Sequence, residues 1–115
     1  MELIINKNNY PLELMLTEPQ IRKGMMGRNK LDGGMLFVFD NVSPRAFWMK
    51  DCVIPLDIIY LTNGKVNKIY NSCPPCERRL TCPNYPGIGD SVLELNGGTA
   101  KKENIQKGDR LGFKS

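Results

Sequence analysis

Histidine is absent from the chain. That excludes Ser–His and Cys–His catalytic pairs, imidazole metal ligands and an imidazole pH switch. Long apolar runs are missing too. The longest, Met35–Phe39, is about five residues against the roughly 20 that a membrane-spanning helix needs. A dense basic stripe is lacking, although the net charge is +4. The cations lie in loose groups: Arg22, Lys23, Arg28 and Lys30; Arg78 and Arg79; Lys101 and Lys102. There is no helix-turn-helix, no aromatic ribonucleoprotein box and no Gly-Lys-Ser phosphate loop, so no nucleic-acid partner is expected. The first residues show no basic region, apolar core and small-residue cleavage site in series. The expectation is a cytoplasmic chain with no membrane partner, in a compartment where thiols are mostly reduced.

What is present is ordinary core material. Leu, Ile, Val and Phe make up about a quarter of the 115 residues, above the roughly 20% below which chains tend to be disordered. That length supports one domain, residues 1–115, and no second core.

The apolar residues alternate in short segments. Residues 1–16 read as two strands broken at Asn8-Asn9. Thr17-Glu18-Pro19-Gln20 reads as a capping box with proline in the first turn, opening a helix over 18–26 that Gly27 closes. Met35–Phe39 and Ala46–Met49 read as two separate strands. Leu56–Thr62 and Lys65–Asn71, joined by Asn63-Gly64, form the clearest hairpin, because Asn-Gly tolerates the positive φ of a tight turn. Residues 72–90, with four prolines and three cysteines, read as a long loop. Within it Tyr85-Pro86 is expected to hold a cis bond. Ser91–Asn96 is a strand, 98–104 a helical turn or two capped by Thr99, and Arg110–Phe113 a closing strand. The sum is a mainly β fold: a small sandwich or jelly roll, or a partly closed barrel, of about seven short strands with two short helices.

Several stretches together resemble one known family. They are RKGMMGR (22–28), GGMLFVF (33–39), FWMKDCVIPLDIIYL (47–61), PPC (74–76) with CPNYP (82–86), VLELNGGTA (92–100) and KGDRLGF (107–113). In this order they are similar to the domain of unknown function 192 family of bacteria and archaea, over nearly the whole chain. The resemblance implies a β-rich jelly roll or barrel, and it maps the usual cysteine pair onto Cys76 and Cys82. It supplies no function. This chain departs from the family in having Cys52 where Thr is frequent and Cys73 as an addition. No secretion or lipid-anchor segment of the kind many members carry is expected.

The residues themselves leave the cysteine chemistry open. A Cys76–Cys82 disulfide would clamp the long loop. A zinc site would need a second Cys-x-x-Cys knuckle beside Cys73–Cys76, and a redox centre would need a thiol with a lowered pKa. Idle thiols are the remaining alternative, and Cys52 is expected to pack as a small hydrophobe. No metal or cofactor is expected.

The candidate ligand-binding residues are Arg22, Trp48, Met49, Lys50, Asp57, Tyr85 and Glu94. Asp57 shares an apolar strand face with Ile59 and Leu61, where an acid needs a partner. That partner is either a local turn or a pocket holding Lys50 or Arg22. Phe47 and Trp48 face opposite ways, so either one of them is available to a ligand or both are core. Glu94, between Leu93 and Leu95, either faces solvent or joins Asp57. The functional expectation is a non-enzymatic module that binds a small molecule, peptide or protein, as a monomer or small homo-oligomer. An enzyme built on Asp57 with Glu94, or on Cys76 with Cys82, is the alternative. A structural accessory protein, for instance of a phage particle, is a third.

Overall fold

The computed structural model describes residues 1–77 and 79–115. Seven strands and two short helices follow one another as β1 (Glu2–Ile5), β2 (Asn8–Met15), α1 (Glu18–Lys23), β3 (Gly34–Trp48), β4 (Leu56–Thr62), β5 (Lys65–Cys73), β6 (Asn84–Asn96), α2 (Thr99–Lys102) and β7 (Gly112–Lys114). They build one curled sheet in the order β5-β4-β6-β3-β2-β1-β7. Only β2 and β3 are parallel among the named pairs. Their crossover, residues 16–33, carries α1 over one face of the sheet. The two sheet ends approach where Leu111 N–H donates to the Gly64 carbonyl (2.9 Å) and Val66 N–H to that of Asp109 (2.8 Å). The result is a half-closed barrel, the mainly β architecture that the alternation implies.

The capping box is formed as the sequence implies. Thr17 accepts from Gln20 N–H at 3.3 Å, and the Gln20 side chain accepts from Thr17 N–H at 3.0 Å. The hairpin turn is formed too, with Asn63 at φ 49° and Gly64 at φ 79°.

Other boundaries differ from the expectation, each for a local reason. The first reversal lies at Asn6-Lys7 rather than Asn8-Asn9, because Asn6 takes the left-handed φ of 54° and Ile5 pairs with Asn8. The helix stops at Lys23, because Gly24 turns to φ 44°. Met35–Phe39 and Ala46–Trp48 belong to one long β3 that shifts register between Val38 and Ser43, and Met49 lies just past its end. The loop expected over 72–90 shrinks to 74–83, because β5 runs to Cys73 and β6 starts at Asn84.

Tyr85-Pro86 is not cis. Pro86 lies in an extended strand opposite Ala46, on a stretch of β6 that pairs with β3 alone, where a missing N–H costs no ladder bond on the open side. Tyr60 and Tyr70 hydroxyls donate to the Tyr85 and Pro86 carbonyls, each at 2.5 Å, and tie this stretch down. Gly87 is required there: a Cβ would sit 2.4 Å from the Tyr60 ring. Finally β7 begins at Gly112, not Arg110.

The sheet buries a separate apolar cluster on each face. One gathers Met25, Met35, Phe37, Met49, Ile58, Tyr60 and Val92 beneath α1. The other gathers Leu3, Leu36, Ile59, Leu61, Leu93 and Leu95 with Ala100 of α2. Successive residues of β4 and β6 therefore serve opposite cores, which explains why every β4 residue from Leu56 to Leu61 is buried, Asp57 included.

Candidate functional site

A cleft of about 230 Å³ opens between α1 and the ends of β3 and β6. Its helical wall comes from Arg22 and Lys23, with Met26 just beyond the helix. Gly24 lets the chain settle on Phe37, whose ring would be 3.2 Å from a Cβ at that position. Arg22 is exposed and pairs with Glu18 one turn back (2.8 Å), an i,i+4 contact worth about 0.3–0.5 kcal/mol. The opposite wall is the end of β3. Alternation turns Phe47 inward and Trp48 outward, and Trp48 keeps 44% of its surface exposed. Lys50 Nζ stands 4.8 Å from the centre of the Trp48 ring, within cation–π range. Phe37 and Phe47 meet edge to face at 4.9 Å, the start of a ring array that continues through Tyr60 and Tyr70 to Tyr85.

Glu94 lies on the inner wall. It pairs across the ladders with Met35 and Ile58, so the period of two turns it toward the α1 side. It is 4% exposed, and its Oε1 has no hydrogen-bond partner among the described residues. Burial pushes its carboxyl up from the ordinary 4.5 to about 8, so it is mostly protonated at neutral pH. Cys52 completes this end of the cleft. Burial first, then the neighbouring Glu94, raise its thiol to about 12, which makes it a poor nucleophile.

The segment carrying Lys50 and Cys52 is fixed by the cysteine loop. Cys76 and Cys82 form a disulfide, while Cys52 and Cys73 are free and buried. Cys76 bridges to Lys50, and its carbonyl accepts from Asp51 N–H at 2.8 Å. The Asp51 carbonyl in turn accepts from Gly27 N–H at 2.8 Å. The segment after α1, the cleft wall and the clamped loop thus meet at Asp51.

Of the residues singled out in the sequence, Arg22, Trp48, Lys50 and Glu94 line this cleft together. Met49 is fully buried behind it, and Tyr85 packs in the ring array against Tyr70 without lining it. Asp57 lies on the other face. It pairs with Leu95, and its Oδ1 accepts from Ser72 N–H (2.7 Å) and Gly98 N–H (3.2 Å) while Oδ2 accepts from Ala100 N–H (2.8 Å). It replaces the cap expected from Thr99, since Gly98 is the N-cap of α2 and no side chain caps it. The expectation of Glu94 facing solvent or joining Asp57 is therefore corrected, and so is that of Asp57 facing Lys50 or Arg22. Opposite faces of one sheet separate the two acids. Phe37, Ala46, Met26 and Cys52 are cleft residues that the sequence reading passed over; the in-facing half of the β3 alternation was the signal for Phe37.

Among the described residues, no three of Cys, Asp and Glu gather as a metal site. No helix is long and apolar enough to cross a membrane.

The model of the DUF192 family, described as an uncharacterized ACR, matches residues 2–113. The chain belongs to the DUF192 family. It matches no curated protein. Two solved structures of similar fold share about a third of its residues. One is a candidate transcription regulator from Sinorhizobium meliloti 1021, 31% identical, with a TM-score of 0.80 over 96% of this chain and 89% of that one. The other is a protein of unknown function from Novosphingobium aromaticivorans DSM 12444, 30% identical, with a TM-score of 0.82 over 97% and 83%.

Proposed function

We propose that this DUF192 domain is a non-enzymatic binding module whose ligand is a small molecule held in the cleft between α1 and Trp48. The observation that carries the reading is Glu94. A buried polar atom without a hydrogen bond costs about 1–3 kcal/mol, and a ligand in the cleft supplies the missing partner. Aromatic and methionine walls around a few polar groups are the usual make-up of such sites.

Binding is favoured over catalysis by the chemistry at hand. The two carboxyls of the acid–base alternative face opposite cores, and the thiol in the cleft stays protonated. The thiol alternative loses its pair to the Cys76–Cys82 disulfide. The regulator name of the Sinorhizobium relative accords with a sensing module rather than a DNA-contacting one, because the basic residues here are dispersed.

The test uses four six-carbon probes that differ only in head group: hexanoate, hexanamide, hexanol and hexylamine. The single tryptophan reports through its indole N–H resonance. A saturable shift with any probe, lost when Ala46→Phe blocks the wall, supports the reading. No shift with all four, or shifts that survive Ala46→Phe, would overturn it.

A further inference from the structure

The cleft is chemically graded from mouth to inner wall, and the gradient specifies a ligand class. We propose, building on the binding role above, that the cleft selects a small hydroxy-carboxylic acid with an aromatic body, its hydroxyl on Glu94 and its carboxylate at the basic mouth. Three observations converge. First, the inner wall presents one unpartnered carboxyl oxygen in an apolar setting. A protonated carboxyl offers one donor and one acceptor, and a hydroxyl matches both. Second, the body of the cleft is built from Phe37, Phe47 and Met26, surfaces that accept a flat ring edge to face. Third, Arg22, Lys23 and Lys50 line the cleft, and among the described residues Glu94 is its sole acidic lining residue. Because burial keeps Glu94 uncharged at neutral pH, an entering anion meets no like charge on the inner wall, and at the mouth the Glu18 carboxylate is already paired with Arg22.

The volume is in keeping with this. At about 230 Å³ the cleft is below the 300–1,000 Å³ of drug-sized pockets and suits a single ring with a short acid arm.

Calorimetry with four related probes tests the assignment, with the Trp48 indole resonance locating the site. The probes are 3-(4-hydroxyphenyl)propanoate, 3-phenylpropanoate without the hydroxyl, 3-(4-hydroxyphenyl)propanamide without the charge, and 4-hydroxyphenethylamine with the opposite charge. The first should bind tightest. Loss of the hydroxyl or of the negative charge should each weaken binding about tenfold, and the amine should bind weakest. Glu94→Leu, whose folding is checked by urea unfolding, should make the first two probes equal. Equal affinity of the first two in the wild-type protein, or amide or amine binding as tight as the acid, overturns this ligand class while leaving the cleft a binding site. If no probe of either series moves the Trp48 resonance, both readings fall.

Discussion

Two carboxylic acids sit on neighbouring strands, both almost wholly out of water, and the chain treats them in opposite ways. Asp57 on β4 is fully buried and spends both oxygens on three backbone N–H groups from β5 and the start of α2. Glu94 on β6 is buried nearly as deeply, yet one oxygen has no partner among the described residues, and the space beyond it is a cleft. The first arrangement fastens a chain crossing. The second leaves an unmet demand at a surface opening. Burial alone therefore does not distinguish a structural acid from a site acid. What distinguishes them is whether the protein itself answers the carboxyl.

The comparison predicts different consequences for removing each acid. Asp57→Ala should be the most damaging change, about 3–5 kcal/mol by urea unfolding, because it strands three backbone donors that had charge-assisted bonds. A loss below 1 kcal/mol would mean that water replaces the carboxylate easily.

Glu94→Gln should act in the other direction, and with pH. The folded state holds the Glu94 proton up to about pH 8, whereas an unfolded glutamate releases it near 4.5. Raising the pH through that window therefore costs the wild-type fold stability that the Gln variant keeps. The wild-type protein should fall behind the variant by on the order of 5 kcal/mol between pH 4.5 and 9, seen as diverging urea midpoints. Parallel midpoints across the window would contradict the buried setting of Glu94.

Cys82→Ser should cost about 2 kcal/mol, near the low end for a disulfide because the loop is short. The damage should concentrate on the Glu94 side. Amide exchange should speed up at Asp51, whose N–H is held by the Cys76 carbonyl, and stay unchanged at Ala100, whose N–H is held by Asp57. Equal acceleration at both would erase the division into two faces. Trp48→Ala should have the smallest effect on stability, within about 0.5 kcal/mol, because the side chain is exposed. In the cleft it should still weaken capture of 3-(4-hydroxyphenyl)propanoate severalfold by calorimetry.

The same contrast explains what could be read from residues alone. The Thr17 capping box and the Asn63-Gly64 turn are local devices, complete within four residues, and both formed as read. Asp57 could be marked as an acid in need of a partner, but its partners lie 15, 41 and 43 residues away, beyond any local pattern. Glu94 shows the converse problem. Alternation separates it from Leu93 and Leu95, but a sheet with a core on each face makes both directions inward. Pro86 and Gly87 carry the chemistry of a loop. They form strand because β3 pairs with them on one side while Tyr60 and Tyr70 hold their carbonyl end. Arg22, Trp48 and Lys50 meet in the cleft because charge and strand alternation, which sequence conveys, keep them toward the surface; Met49, their neighbour in the chain, turns into the core.

The meeting of the β4–β5 turn with the segment before β7 has one more consequence. An outermost strand with free N–H and C=O groups is a template on which other chains can stack, the first step toward fibrous aggregates. Here Asp109 and Gly108 occupy the Val66 groups on β5, and Lys65 and Lys68 add charge along the same strand. By curling until its margins touch, the protein removes part of the surface on which self-association would begin.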